Sequence, residues 1–173
     1  LACLVSCTPY NNDIRSGSEE NLKGIWKLVS LRYAGGNLDK VNTLYAVLDP
    51  GNNHLAFFIE GGDGTLKSPL METLDFITVD NEIVLGRNGK LEELRKNPET
   101  AITKIHYDNF DGKELHLYPD AILFIPEEIT GVDPEVKNMH MEFHRDTELE
   151  AKAGANTKAE DDKWMENAAR AIV

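Results

Sequence analysis

Cysteine is almost absent from this 173-residue chain, because its only two cysteines, Cys3 and Cys7, both lie at the very start. The rest of the chain therefore cannot supply a disulfide framework, a thiolate metal site or a cysteine nucleophile. Basic residues are also scarce, with 18 Lys and Arg against 30 Asp and Glu, and the net charge is −12. Such a surface repels phosphate backbones, and no basic cluster offsets it, so the sequence excludes nucleic acid as a partner. Beyond the opening segment, no stretch approaches the roughly 18 consecutive apolar residues of a membrane-spanning helix.

The opening segment, LACLVSC, is apolar, and the segment that follows it is polar and rich in Asn, Ser, Gly and acidic residues. Leu4-Val5-Ser6-Cys7 resembles the bacterial lipobox, in which a peptidase cuts before a lipidated cysteine. The resemblance implies a signal-peptide remnant at 1–6, a lipid on Cys7 and a flexible tether over 7–21. It implies a protein held in the bacterial cell envelope by its lipid anchor alone, at the outer membrane on the periplasmic or surface side. The alternative is a buried N-terminal strand that happens to carry two cysteines.

Apolar and polar residues alternate with period two over most of 24–145, which predicts short β-strands. The predicted strands are 25–33, 43–48, 55–60, 73–79, 83–86, 101–107, 114–118, 122–125 and 139–145. Turn-forming clusters, such as 34–37 and 80–81, separate most of them, and crossover helices are missing. The sequence therefore predicts a mainly β domain over 22–147, an antiparallel up-and-down barrel of about eight to ten strands. The segment 90–97, KLEELRKN, predicts two helical turns that end before Pro98.

One hairpin can be assigned a register from its sequence. For the apolar residues on both strands to share a face, the loop must contain an odd number of residues. A loop of Phe110, Asp111 and Gly112 meets this condition and places Tyr107 opposite Leu115. The same register places His106 opposite His116.

The end of the chain departs from the period-two pattern. Thr157 and Glu160 have the spacing of a helix capping box. After them, apolar residues at helical spacing form one stripe, consisting of Trp164, Met165, Ala168, Ala169 and Ile172. The sequence predicts a helical extension over 148–173 whose apolar stripe docks on the barrel wall, and a partner-binding helix is the alternative.

Gly24-Ile25-Trp26 opens the first long strand, and Arg145 ends the last one. Here the chain resembles the lipocalin-like (calycin-type) superfamily, whose first strand begins with Gly-x-Trp. The resemblance implies that Trp26 closes one end of the barrel and that Arg145 packs over its electron-rich ring. The second motif of that family, a Thr-Asp-Tyr type turn, has no recognisable counterpart here. The layout also resembles that of small lipocalin-like domains on secreted bacterial lipoproteins.

The histidines suggest a second kind of site. On a strand, His140, Glu142 and His144 share one face, and His106 and His116 lie on the polar face of the preceding hairpin. Four histidines could therefore gather on one sheet face, and imidazole with carboxylate is a known zinc ligand set. Residues two apart on one strand lie about 7 Å apart, so a neighbouring strand would have to help. The alternative is a polar face that simply contacts water.

Nothing in the sequence points to catalysis, since no Ser or Thr occupies a nucleophile elbow and no cofactor motif is present. The leading hypothesis is a non-enzymatic protein that holds a small hydrophobic molecule inside the barrel. The candidate lining residues are apolar: Leu44, Phe57, Phe76, Leu115, Leu117 and Phe124. The same side chains could equally fill the barrel, which would suit an accessory lipoprotein that binds an envelope protein. The third hypothesis is metal binding through the histidine face.

Overall fold

The computed structural model describes residues 21–33, 36–38, 44–59, 73–119, 138–154 and 163–172. The strands in these ranges are β1 Gly24–Tyr33, β2 Gly36–Leu38, β3 Leu44–Asp49, β4 His54–Ile59, β5 Leu74–Val79, β6 Glu82–Gly86, β7 Thr103–Phe110, β8 Glu114–Pro119 and β9 His140–Arg145. The helices are α1 Leu91–Lys96, a 3-10 turn at Pro98–Thr100, α2 Thr147–Lys152 and α3 Trp164–Ile172. Among the described residues, no helix is long and apolar enough to cross a membrane.

The strands form an antiparallel barrel that closes on itself. From β3 to β9 each strand pairs with the next, and β1 pairs with both β3 and β9. Over the described residues the barrel therefore has eight strands, β1 and β3–β9, and β2 pairs there with the last three residues of β1. This architecture, with its C-terminal helix, confirms the predicted fold class. The short strand β2 is a correction, because it occupies part of 34–37, which the sequence analysis assigned to a turn.

Side chains on the inner face of the strands form one packed core. Trp26, Phe143 and Met141 are fully excluded from solvent, and their neighbours from every barrel strand belong to the same cluster. Period-two alternation produces this core, since every second side chain of a strand points to the same face.

A second apolar cluster lies on the outside of the barrel, under α2 and α3. Its members are Ile25, Tyr45, Val47, Ala56, Phe58, Ala153, Trp164, Ala168, Ala171 and Ile172. Trp164 fixes α3 to the wall, because its indole Nε1 donates a hydrogen bond to the Leu48 carbonyl over 3.0 Å. Strand β3 is buried along its whole length as a result, which explains why LYAVLD is apolar at almost every position. The predicted docking of the C-terminal stripe on the barrel wall is thus observed.

The β7–β8 hairpin differs from the predicted register by two residues. Tyr107 pairs with Leu117 and Phe110 with Glu114, so the loop is Asp111 to Lys113. Asp111 and Gly112 take positive φ angles of 54° and 69°, which places the reversal at these two residues. A shift of two leaves every side chain on its predicted face. The expected pairing of His106 with His116 is wrong, however, because His106 lies opposite Tyr118 and His116 opposite Asp108.

Several predictions fall on parts of the chain outside the described residues. These are Cys7 with the tether, the strand at 122–125 with Phe124, and the capping box at Thr157 and Glu160.

Candidate functional site

Trp26 and Arg145 lie opposite each other at one end of the barrel, where β1 starts and β9 ends. The Arg145 guanidinium carbon lies 4.3 Å from the centroid of the Trp26 ring, as the resemblance implied. Trp26 Nε1 donates to the Leu22 carbonyl at 2.9 Å. The guanidinium donates to the carbonyls of Asn21 at 2.6 Å and Lys23 at 2.8 Å. Arg145 therefore ties the start of β1 to the end of β9.

Glu150 of α2 completes this end, and the sequence analysis did not identify it. Its Oε2 accepts hydrogen bonds from Arg145 Nη1 at 2.7 Å and from the Ile25 amide at 3.0 Å. Burial raises the pKa of Glu150, and these two partners oppose that rise. A Cβ on Gly24 would lie only 2.4 Å from Arg145 Nη1 and 2.5 Å from Glu150 Oε2. The glycine of the Gly-x-Trp pattern thus leaves room for a largely buried ion pair, and the described contacts give this end a structural role.

The predicted lining residues lie inside the barrel, where they contact one another. Leu44, Phe57, Phe76, Leu115 and Leu117 are at most 2% exposed and belong to the single interior cluster. An eight-stranded barrel is just wide enough for side chains to fill it or to hold one small ligand. Over the described strands, these side chains form a solvent-excluded core.

A compact polar cluster lies on the outer face of β8 and β9. The ladder places Glu114 opposite His144 and His116 opposite Glu142, and all four side chains share one face. Glu114 Oε1 is 3.4 Å from His144 Nε2 and 3.5 Å from His116 Nε2. Glu142 Oε2 is 2.8 Å from His144 Nε2, and its Oε1 is 3.9 Å from His116 Nε2. We call Glu114, His116, His140, Glu142 and His144 the His/Glu cluster.

His140 joins this cluster from one side. Its Nε2 lies 2.7 Å from His116 Nδ1, and the two rings stack with centroids 4.9 Å apart. On its other side, His140 stacks on the Tyr118 ring at 4.7 Å. Burial lowers the pKa of His140, and the neighbouring His116 lowers it further. The hydrogen bond from His144 lowers the pKa of Glu142, which favours the carboxylate.

The structure brings together three of the four predicted histidines, His116, His140 and His144. His106 contacts Asp108, with its Nε2 3.7 Å from Oδ1, and the Tyr118 ring, which lies between it and His140. Glu114 was not among the residues that the sequence pattern indicated. Its role depends on the pairing of β8 with β9, which no local pattern in the sequence specifies.

A surface groove of about 540 Å³ lies beside His54, Asp75 and the loop before α1. Asp75 is buried, and its Oδ2 accepts hydrogen bonds from the amides of Gly89 at 2.9 Å and Lys90 at 3.1 Å. His54 Nε2 is 3.5 Å from Asp75 Oδ1. Asp75 thus holds the α1 loop in place, which is a structural role.

The fold and these contacts define a closed eight-stranded antiparallel β-barrel with a helix-covered wall and a polar His/Glu cluster outside. No protein-family model matches the chain, and neither does any curated protein. Among solved structures, the chain is similar to an uncharacterised protein from Bacteroides eggerthii, whose crystal structure was determined at 2.60 Å resolution. The two are 12% identical, with a TM-score of 0.43 over 72% of this chain and 99% of that one. Neither family nor function is carried from that protein to this chain.

Proposed function

We propose that this chain is a non-enzymatic binding protein of the bacterial cell envelope, with the barrel as a rigid scaffold and the His/Glu cluster as its binding site. The observation that carries the proposal is that each of two imidazoles, from adjacent strands, has a nitrogen 2.8 to 3.9 Å from an oxygen of each of two carboxylates. Exposed ion pairs contribute little to folding stability, so the fold does not depend on bringing these four side chains together.

The packed interior supports a scaffold role. The described side chains inside the barrel form one cluster, and Leu115 and Leu44 are fully excluded from solvent. Such a core holds β8 and β9 in fixed register, and the two strands then hold the cluster in place.

A small apolar ligand inside the barrel is the second candidate function, and the wholly apolar lining favours it. Native mass spectrometry of purified protein distinguishes the two. Protein at the mass of its own chain supports the scaffold, whereas a stoichiometric co-purifying lipid released by organic extraction would place the binding site in the interior instead.

The envelope location rests on the lipobox-like Leu4-Val5-Ser6-Cys7 and the polar segment after it. Its test is mass spectrometry of the N-terminal peptide from protein extracted from bacterial membranes. We expect a peptide that starts at Cys7 and carries diacylglyceryl. We also expect that the Cys7→Ala variant is no longer found in the membrane fraction. An unmodified Cys7 in membrane-extracted protein would refute the anchoring.

A further inference from the structure

We propose that the His/Glu cluster binds one divalent transition-metal ion of the zinc type, with His116, His144, Glu114 and Glu142 as ligands. This deepens the proposed function and rests on it, because it names the ligand class of the same site. The described residues include no cysteine, so a site built from them must use nitrogen and oxygen ligands.

The spacing of the ligand atoms fits a tetrahedral ion. Zinc binds imidazole nitrogen and carboxylate oxygen at about 2.0 to 2.2 Å, so neighbouring ligand atoms of a tetrahedron lie roughly 3.4 Å apart. Glu114 Oε1 is 3.4 Å from His144 Nε2 and 3.5 Å from His116 Nε2. One ligand atom each from Glu114, Glu142 and His144 lies within 4.8 Å of the other two. His116 is not part of that three-atom group, and its Nε2 lies 3.9 Å from Glu142, so rotations of the His116 and Glu142 side chains would have to complete the coordination.

The contact between His116 and His140 provides an independent argument. If Nε2 of His116 binds a metal, its Nδ1 must carry the proton, and that N–H needs an acceptor. His140 Nε2 lies 2.7 Å from this Nδ1 and can accept it. Metal-binding histidines regularly donate their second ring N–H to such a partner, which fixes the ring and its tautomer. His140 is thus a positioning residue, held in turn by stacking on Tyr118.

The donor set also selects the class of ion. Two imidazoles suit zinc and its first-row neighbours, whereas Mg²⁺ and Ca²⁺ prefer oxygen ligands alone. The two carboxylates balance the charge of a divalent ion. The side chain of Glu142 is 22% exposed and that of His144 is 49% exposed, so an ion can enter directly from solvent.

The test is calorimetric titration of tag-free, chelator-treated full chain with Zn²⁺, and with Mg²⁺ as the comparison. We expect one Zn²⁺ per chain at micromolar metal and no response to Mg²⁺. Co²⁺ should give the intense visible absorption of a tetrahedral site. Zinc binding that is absent, or no stronger than that of Mg²⁺, overturns the proposal.

Variants locate the site. Glu142→Gln and His116→Gln should each weaken Zn²⁺ binding by at least 100-fold, roughly the upper range for loss of a supporting residue. His106→Gln is the matched control, because this histidine lies on the same outer face but outside the cluster, and it should leave Zn²⁺ affinity unchanged. Equal loss in the control would show scattered surface binding and refute the site. Circular dichroism without metal verifies that each variant is folded.

The positioning role of His140 has its own readout. His140→Phe keeps a stacking ring but removes the acceptor, so it should cost about 10- to 100-fold in Zn²⁺ affinity. His140→Gln retains an acceptor oxygen and should recover part of the loss, and equal affinities in the two variants would refute this role.

Failure of metal binding is distinguishable from failure of the proposed function. If Cys7 is acylated but the protein does not bind Zn²⁺, only the metal site is refuted. If the protein binds Zn²⁺ but Cys7 is unmodified, only the membrane anchoring is refuted.

Discussion

Replacing Arg145 by methionine tests how much the contacts of its guanidinium contribute to stability. The guanidinium donates hydrogen bonds to four oxygens, the carbonyls of Asn21, Lys23 and Gly112 and the carboxylate of Glu150. Methionine retains an unbranched apolar chain that can pack near Trp26, so the variant isolates the loss of these donors.

The size of the expected loss of stability follows from Glu150, the largely buried partner that remains. The side chains of Arg145 and Glu150 are 18% and 12% exposed, so the substitution leaves a poorly solvated carboxylate without its cation. Breaking a buried ion pair from one side costs about 3–5 kcal/mol. This is a large part of the 5–15 kcal/mol typical of a folded domain. We therefore expect Arg145→Met to lower the free energy of unfolding by about 3–5 kcal/mol.

The assay is urea unfolding followed by fluorescence of the buried tryptophans. The control is the double variant Arg145→Met/Glu150→Gln, which removes the uncompensated charge and should recover part of the lost stability. A loss below about 1 kcal/mol, the range of an exposed ion pair, would refute the reasoning. A double variant less stable than Arg145→Met would refute it as well.

Three further predictions concern the same barrel and its helices. Gly24→Ala should lower the free energy of unfolding in urea by about 1–3 kcal/mol, because the added Cβ would displace the ion pair. The control Gly51→Ala should cost less, because its Cβ would meet only a carboxylate oxygen at 3.7 Å. Trp164→Phe should cost about 1–2 kcal/mol, because the variant loses the buried hydrogen bond from the indole to the Leu48 carbonyl, and equal stability would contradict this anchor. Burial raises the pKa of Glu150 above its usual value of 4.5, so the folded state holds this proton to higher pH than the unfolded chain. The stability of the wild type relative to Glu150→Gln should thus be greatest below pH 4.5 and fall as the pH rises through the raised pKa, which urea titrations on both sides of that range will measure.

The local elements were largely predictable because their signals are short-range. Alternating side chains located most of the described strands, and Asp80-Asn81 forms the predicted tight turn, with both residues at positive φ. The predicted helical extension over 148–173 did not separate α2 from α3, although a signal for the start of α2 was present. Asp146 is its N-cap and accepts a hydrogen bond from the Leu149 amide at 3.0 Å, and acidic residues fill its first turn.

The candidate site was less predictable because it depends on pairings between distant residues. The sequence showed that His140, Glu142 and His144 share a face, but the distance between alternate residues on one strand is too long for a shared ion. The missing ligands come from β8, more than twenty residues earlier. Likewise, Glu150 accepts a hydrogen bond from the amide of Ile25, which lies 125 residues earlier in the chain.

The sequence alone determined which side chains face inward, because the pleat of a strand fixes that alternation residue by residue. It also determined the net negative charge and the lack of cysteine after residue 7. Only the tertiary structure decided which strands lie side by side. Barrel closure between β1 and β9 and the ladder between β8 and β9 set those neighbours, and interactions across strands depend on register that no single segment encodes.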